Sequence, residues 1–480
     1  DTAVSESRER VRSAIKNANL QYPVSRITIN LAPADMKKEG PLYDLPILIA
    51  LLCANSQLKG VDDSMAFIGE LSLDGTLRRV NGVLPMVIHA KESGLKEMFV
   101  PFDNGSESCI VDGIDIYPVR NVKELINHLR GTKKIEKADR NLYAEYIEND
   151  AGLFDFSEVK GQYQVKRALE IAAAGGHNTL MIGPPGSGKS MLAKRIPSIL
   201  PDMTFEESLE TTKIYSIAGE LKNKSGLIKR RPFRSPHHTV SPAALSGGGT
   251  VPRPGELSLA HNGVLFLDEL PEFQRTTMEV MRQPIEDGEV TISRVAGTLT
   301  YPCSVMLVAA MNPCPCGYLG HPKKECTCSL GAVTRYRSRV SGPLLDRIDI
   351  QIEVPSVSFE DMSKNTPSEP SEAIRARVCA ARRRALDRFR AASEEKDSDV
   401  PMIFKNSEMG TRHIRRFCEL DKKASDLLSA AYDKLGLSAR GYDRLIRVAR
   451  TIADLDASEI ILEKHIAEAI RYRTLDKKYW

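Results

Sequence analysis

The 480-residue chain has a single tryptophan, Trp480, and only 6% aromatic residues. It offers no aromatic stacking series for single-stranded nucleic acid and no RNA- or DNA-binding module. Long apolar runs are missing too. None approaches the ~20 residues of a membrane span, which excludes a helical membrane protein. No signal-peptide pattern follows Asp1, and because that residue is not Met the chain is expected to begin inside a longer one. Neither sign of charge dominates: 67 Lys and Arg against 63 Asp and Glu leave a formal net charge of +4. So small an excess argues neither for nor against a polyanionic partner. A disulfide framework is not supported, because the nine cysteines are odd in number and four of them crowd into one stretch. That pattern suits a reducing compartment, hence the cytoplasm, and a metal site. The remainder is ordinary globular protein, 42% hydrophobic and 27% charged, long enough for two to four domains.

What is present is organised around Gly183, Pro184, Pro185, Gly186, Ser187, Gly188, Lys189 and Ser190, which spell G-x-x-x-x-G-K-S ahead of a helix-compatible run beginning at Met191. Such a loop turns backbone N–H groups onto a triphosphate and adds the positive end of a helix. Gly183 to Met191 are therefore the candidate ATP-binding residues. Lys189 would reach the β- and γ-phosphates, and the Ser190 hydroxyl would ligate Mg²⁺. Downstream, Gly263-Val264-Leu265-Phe266-Leu267-Asp268-Glu269 predicts a buried parallel strand with an acidic pair at its C-terminal end, where α/β sheets bind ligands. Asp268 would hold Mg²⁺ through water, and Glu269 would polarise the attacking water. A second buried strand, Ser304 to Met311, ends at Asn312, placed to orient that water or sense the γ-phosphate. Arg347 is positioned to reach a neighbouring subunit's γ-phosphate, with Arg335, Arg337 and Arg339 as competitors. The fold expected for residues 156–355 is a P-loop α/β core with helices on both faces of a parallel sheet.

The interval between Lys189 and Asp268 is longer than one helix and one strand need, so an inserted hairpin or loop is expected. Within it His237 and His238 lack an obvious third ligand. As neighbours on a strand their side chains would point apart, so packing or hydrogen bonding is expected rather than metal. Glu289 to Pro302 predicts another hairpin, with Arg294 near its tip. Cys314, Cys316, Cys326 and Cys328 flank a loop that also holds His321. Four thiolates suit tetrahedral Zn²⁺; reduced or redox-labile cysteines are the alternative, because C-x-C makes a tighter chelate than C-x₂-C. Pro355 to Pro370 is a connector. Residues 372–480 predict a small helical domain, with helices around Thr411–Glu419, Lys423–Leu435, Ala439–Asp454 and Glu463–Arg471. A helix at Ala373–Ala391 is dense in arginine, which leaves open a solvated face or a DNA-facing stripe.

Residues 1–130 predict a helix over Ser5–Ile15, a strand over Arg26–Leu31, a buried helix at Leu45–Leu52 and a hairpin turning at Asp74-Gly75. A helix at Leu84–Ser93 and a strand at Glu97–Pro101 follow, and residues 131–155 are a charged linker with some helix. Lys38-Glu39-Gly40-Pro41, and Gly69-Glu70-Leu71 followed by Asn81-Gly82, resemble the proteolytic domain of Lon-type proteases, a ribosomal-S5-like α/β fold. The resemblance puts Leu42 where those enzymes have a Ser and Leu84 where they have a Lys. Neither can be a nucleophile or a base, which implies a protease-inactive scaffold or docking domain.

The motif order, the inserted hairpins and Leu345-Asp346-Arg347-Ile348-Asp349 resemble the magnesium-chelatase-like AAA+ ATPases. Within that group Arg231–His238, Asn262–Phe273, Met311–Gly317 and Gly436–Leu455 resemble the competence-associated ComM/YifB family. The resemblance implies that residues 372–480 are the AAA+ lid and that Arg440 is a second γ-phosphate sensor, with Arg444 one turn on as a second candidate. Arg347 has no phosphate to meet in its own subunit, which favours a ring, a homo-hexamer with ATP between protomers. The implied function is an ATP-driven DNA motor with helicase and branch-migration activity on single-stranded or branched DNA, acting in natural transformation and recombination. Its hairpins would enter a central channel, with Arg294 the first candidate for a DNA phosphate contact. The alternative is a chelatase-type ATPase that remodels a protein partner. Chelatase subunits are expected to lack a Lon-like domain, which would set residues 1–130 against it. An unfoldase with an attached protease is disfavoured by Leu42 and Leu84.

Overall fold

The computed structural model describes residues 2–31, 40–139, 154–221, 226–249, 252–294, 297–356, 368–394, 401–473, 475 and 479. The N-terminal unit begins with α1 (Thr2–Asn17) and α2 (Asp44–Ala54). β1 (Met65–Phe67) follows, then a short antiparallel pair, β2 (Glu70–Leu71) with β3 (Leu77–Arg78). That pair turns at Asp74-Gly75, where the Asp74 carboxylate accepts the Thr76 amide at 3.0 Å, an Asx-type turn. Next come α3 (Val83–Glu92), β4 (Glu97–Pro101), α4 (Gly105–Ser108), β5 (Asp115–Val119) and α5 (Val122–Leu129). Strands β1, β4 and β5 make a parallel sheet in the order β1-β4-β5.

The strand expected at Arg26–Leu31 is absent; the segment is irregular and Ile29 is 49% exposed. Alternation makes a strand only where a partner supplies the ladder, and none of the described strands pairs with it. Of the expected linker, residues 131–139 pack onto this unit instead. Ile135 is buried, and the Ala138 amide donates to the Ile116 carbonyl at 2.8 Å. Residues 140–153 lie outside the described set, as do Lys38, Glu39 and most of the Pro355–Pro370 connector.

The central unit runs α6 (Tyr163–Gly175), β6 (Thr179–Ile182), α7 (Lys189–Ala193), α8 (Ile196–Ile199) and α9 (Phe205–Ala218). β7 (Phe233–Arg234), α10 (Pro242–Ser246), a two-residue ribbon of β8 (Gly247–Gly248) with β9 (Arg253–Pro254), and α11 (Glu256–Leu259) come next. The remainder is β10 (Val264–Leu267), α12 (Arg275–Val280), α13 (Arg282–Asp287), the hairpin β11 (Glu289–Arg294) with β12 (Gly297–Pro302), β13 (Met306–Met311), α14 (Leu330–Arg337), α15 (Gly342–Leu345) and β14 (Ile350–Glu353). Five strands form one parallel sheet, ordered β14-β6-β13-β10-β7. The three central strands β6, β13 and β10 are buried along their whole length and almost entirely apolar, as burial on both faces requires, whereas the outer strands β7 (Phe-Arg) and β14 (Ile-Gln-Ile-Glu) carry polar residues. Val264 and Phe266 point into the core shared with the C-terminal helices, whereas Leu265 and Leu267 point into the core beneath the hairpins.

The C-terminal helices are α16 (Ser371–Ser393), α17 (Thr411–Phe417), α18 (Lys422–Leu435), α19 (Ala439–Leu455) and α20 (Glu463–Arg471). Helix α16 is a solvated face only in part: Arg383 and Arg390 are exposed, but other arginines are tied to neighbouring elements. Arg377 pairs with Glu170 and Glu369, Arg382 donates to the Ala173 carbonyl, and Arg388 grips the buried Asp454. These side chains bolt the helix onto α6 and α19, a use of arginine as a multi-donor fork that charge counting along a helix does not reveal.

Candidate active site

The G-x-x-x-x-G-K-S loop leaves the C-terminal end of β6 and enters α7 at Lys189. Gly188 sits at φ +90°, a left-handed turn that a Cβ would strain, and it swings the first amides of α7 toward the loop. Lys189 is nearly buried and folds back: its Nζ donates to the carbonyls of Gly183 (2.7 Å) and Pro184 (2.9 Å) and to Asn312 Oδ1 (3.2 Å). Burial pushes the ammonium below its ordinary pKa, while Asp268 and Glu269 pull it back up. Ser190 Oγ donates to Asp268 Oδ2 at 2.5 Å. The structure therefore brings Lys189, Ser190, Asp268 and Asn312 together from the ends of three adjacent strands. A hydroxyl and a carboxylate oxygen converging beside a lysine form a donor set that fits Mg²⁺ with a phosphate chain. Glu269 stands at the rim, in the left-handed region at φ +52°, unusual for a residue with a Cβ.

The cysteine loop begins two residues beyond Asn312. Cys314 Sγ lies 3.4 Å from Cys316 Sγ and 3.6 Å from Cys326 Sγ, and Cys316 Sγ lies 3.6 Å from Cys326 Sγ. All four ligand atoms fall within 4.8 Å of one another. Tetrahedral Zn²⁺ with Zn–S of about 2.3 Å demands sulfur separations of about 3.8 Å, so the donor set fits that ion. Cys316 N–H donates to Cys328 Sγ at 3.4 Å. The Cys316 thiol is drawn down to about 6, chiefly by the Tyr318 amide. His321 is turned to its own loop, where Nδ1 accepts the Lys323 and Lys324 amides. Gly317, at φ +82°, lies so close to Pro185 that an added Cβ would come within 2.4 Å of its Cδ. The cysteine loop is thus seated directly on the phosphate-type loop.

Arg347 and Arg440 lie elsewhere. Both line a cavity of about 570 Å³ that is also bounded by Asn178 and Gly263, which immediately precede β6 and β10, and by Met306, which begins β13. This is the N-terminal edge of the sheet, a strand length away from Lys189. Asn178 ties it down: its Nδ2 donates to the Arg347 carbonyl at 2.9 Å and its Oδ1 accepts the Leu307 amide. The Arg347 guanidinium meets Glu286 and the Pro343 carbonyl (2.7 Å), while Arg444 lies 3.7 Å from Asp346. Even so, Arg347 Nε, Arg444 Nη1 and Arg447 Nε are buried without a partner among the described residues, an arrangement that costs free energy unless an anion completes it. The competitors sit on the other side. Arg337 stacks on Tyr479, and Arg339 pairs with Glu272 at 2.9 Å. Arg335 only reaches back to the Gly331 carbonyl. Arg294 ends β11, exposed, opposite Gly297.

Two placements differ from the sequence expectation. His237 and His238 are in an irregular turn beyond β7 rather than on a strand, and their rings lie 4.0 Å apart, tilted by 35°, instead of pointing apart. His238 Nδ1 also comes within 3.4 Å of Glu269 Oε2. Leu84 is fully buried, and its amide donates to Ser216 Oγ of α9 at 3.4 Å, while Gly82 N–H donates to the Ser216 carbonyl at 2.9 Å. The position the protease resemblance gives to a lysine is thus a contact between the N-terminal unit and the central one.

Three family models match. "Magnesium chelatase, subunit ChlI" covers residues 155–362, "Subunit ChlI of Mg-chelatase" covers 1–104, and "Magnesium chelatase, subunit ChlI C-terminal" covers 368–473. With the parallel sheet and its loop, they define a magnesium-chelatase-like AAA+ ATPase. The chain is 44% identical to YifB of Escherichia coli over 480 residues, covering 99% of this chain and 90% of that one. It is 42% identical to competence protein ComM of Haemophilus influenzae over 481 residues, 99% and 91% of the two chains. The chain belongs to the ComM/YifB family of magnesium-chelatase-like proteins. It is also 27% identical to Lon protease 2 of Bacillus subtilis over 122 residues, 25% of this chain and 22% of that one. Because a chelatase-subunit model matches residues 1–104 as well, the N-terminal unit does not separate a DNA motor from a chelatase-type remodeller, contrary to expectation. Among the described residues no helix is long and apolar enough to cross a membrane.

Proposed function

We propose that the chain hydrolyses ATP at a site shared between two copies and converts turnover into movement of DNA. The observation that carries this is the division of charged groups between opposite edges of one sheet. Lys189, Ser190, Asp268 and Asn312 converge at one edge, while Arg347, held by Asn178 at the other and paired with Glu286, keeps a buried Nε without a partner among the described residues. Each edge lacks what the other supplies, so a closed ring, a homo-hexamer, completes every site.

In this reading Lys189 gives up the carbonyls of Gly183 and Pro184 for the β- and γ-phosphate oxygens. Ser190 and Asp268 hold Mg²⁺, which offsets phosphate charge. Glu269 takes a proton from the water that attacks the γ-phosphorus as the bond to the bridging oxygen breaks. Asn312 orients that water. The neighbour's Arg347 and Arg440 meet the charge spreading over the γ-phosphoryl oxygens, and residues 372–480 act as the lid that carries Arg440. Cys314, Cys316, Cys326 and Cys328 hold Zn²⁺ as a brace under the phosphate loop. The exposed tip at Arg294 contacts the DNA backbone, and the name of the ComM relative, a competence protein, points to single-stranded or branched DNA. The N-terminal unit is a docking domain without protease activity, Leu42 and Leu84 occupying the dyad places.

ATP turnover measured with and without single-stranded and forked DNA tests the motor. A rise with DNA, together with strand displacement, is the expected result. Turnover indifferent to DNA, with no displacement, removes it and leaves the partner-remodelling ATPase, with which the chelatase-subunit matches are equally compatible.

A further inference from the structure

The Arg347 guanidinium is held from two sides by its own chain. Its Nη1 donates to the Pro343 carbonyl at 2.7 Å, and its Nη2 donates to the Glu286 carboxylate. Asp346 and Asp349, its neighbours in sequence, are turned elsewhere: Asp346 lies 3.7 Å from Arg444, and Asp349 lies 3.2 Å from His177 Nδ1. Glu286 is therefore the carboxylate that sets where this guanidinium points. Arg347 Nε stays buried without a partner among the described residues.

Glu286 is itself well anchored. It lies in the last turn of α13, which ends at Gly288 in the left-handed region, φ +72°. Cys303, buried just after β12, clamps that end. Its amide donates to the Gly288 carbonyl at 2.7 Å and its thiol to the Pro284 carbonyl at 3.3 Å. The Glu286 side chain is more than half exposed at the rim of the cavity. Water there screens its charge, so it repels an arriving phosphate only weakly, while its hydrogen bond still fixes the direction of the guanidinium. An untethered arginine has many rotamers to lose before it can meet a phosphate. One already held has lost that freedom beforehand.

We propose that Glu286 is a positioning residue that aims Arg347, across the boundary between copies, at the γ-phosphate of the neighbour's ATP. This deepens the reading of Arg347 as an arginine acting in trans and rests on it. Pro343 and Glu286 each occupy one N–H of the guanidinium fork, and the buried Nε is among those left for phosphate oxygens. Glu286→Ala leaves the arginine chemically intact but loosely aimed. Its kcat falls about 10- to 100-fold, the range for a misplaced reacting group, and KM for ATP stays unchanged because the cradle at Lys189 is untouched. Glu286→Gln still offers an oxygen to Nη2 and keeps about a third or more of wild-type kcat, a neutral acceptor being roughly half as strong as a charged one.

The test is steady-state ATP turnover of the full chain, for each Glu286 variant alone and for mixtures. Glu286→Ala should be repaired by co-assembly with Glu269→Gln, which brings an intact Arg347 and Glu286, and not by Arg347→Ala, which lacks the same half of the site. Unchanged or raised kcat in Glu286→Ala overturns the proposal, as does a loss that Glu286→Gln shares in full. Repair by Arg347→Ala but not by Glu269→Gln overturns it too, because the defect then lies at the Lys189 edge. If Glu269→Gln and Arg347→Ala fail to repair each other, the shared site fails rather than the tether. The kcat of Glu286→Ala against Glu286→Gln then decides whether Glu286 aims Arg347 within one chain.

Discussion

The two edges of the central sheet differ in how they are made. The edge at Lys189 is assembled from short contiguous motifs, each leaving the C-terminal end of its own strand; Lys189, Ser190, Asp268 and Asn312 are joined through the Ser190–Asp268 and Lys189–Asn312 contacts, while Ser187 Oγ is buried without a partner among the described residues. The edge at Arg347 is assembled from segments far apart in the chain, among them Asn178, Glu286 and Arg444, and it retains buried guanidinium nitrogens without partners among the described residues. One edge joins its lysine, hydroxyl and carboxylate to one another, and the other keeps several guanidinium nitrogens without a partner among the described residues. That contrast is what an active site shared between copies requires of each copy.

The contrast can be broken most forcefully at the Arg347 edge. Arg347→Ala should lower kcat by roughly 10³-fold or more, the range for an arginine acting in trans, with ATP binding retained. A variant with near-normal kcat would make that edge a structural feature only. At the Lys189 edge, Glu269→Gln should lower turnover by roughly 10²- to 10⁴-fold while the protein still binds ATP, as equilibrium binding of a fluorescent analogue would report.

The cysteine loop sharpens the comparison, because Gly317 seats it against Pro185 at the Lys189 edge. Cys326→Ser should remove about one equivalent of zinc per chain by elemental analysis, lower Tm by several degrees and weaken ATP binding through the Gly317–Pro185 contact. Metal-free wild type with the same Tm and affinity would count against a brace. The smallest effect belongs to the hairpin. Arg294→Ala should reduce the salt dependence of DNA binding by about one phosphate contact and leave DNA-free turnover unchanged.

Much of the Lys189 edge was legible from the sequence because its chemistry is local. A lysine and serine six and seven residues after Gly183, or two acids closing an apolar strand, carry their geometry with them. Cys314, Cys316, Cys326 and Cys328 were legible for the same reason. The other edge was not. Nothing in the spacing of Arg440 says that α19 faces the start of β6 rather than its end, and nothing near His238 announces Glu269, which reaches it only because β7 and β10 are neighbours. Helix α16 was legible only in part: Arg383 and Arg390 are exposed, but Arg377, Arg388 and Arg382, which count in the same stripe, are bound to Glu170, Asp454 and the Ala173 carbonyl. Arg26–Leu31 has the alternation of a strand but no partner, and pairing is a property of the fold.

Mixing two inactive variants measures the central claim most directly. Glu269→Gln keeps its arginine and Arg347→Ala keeps its carboxylates, so if the site is shared, co-assembled subunits should recover up to about a quarter of wild-type ATP turnover, the share of random interfaces that pair the intact halves. A mixture that co-assembles yet stays as inactive as its parents would contradict a site built from two copies.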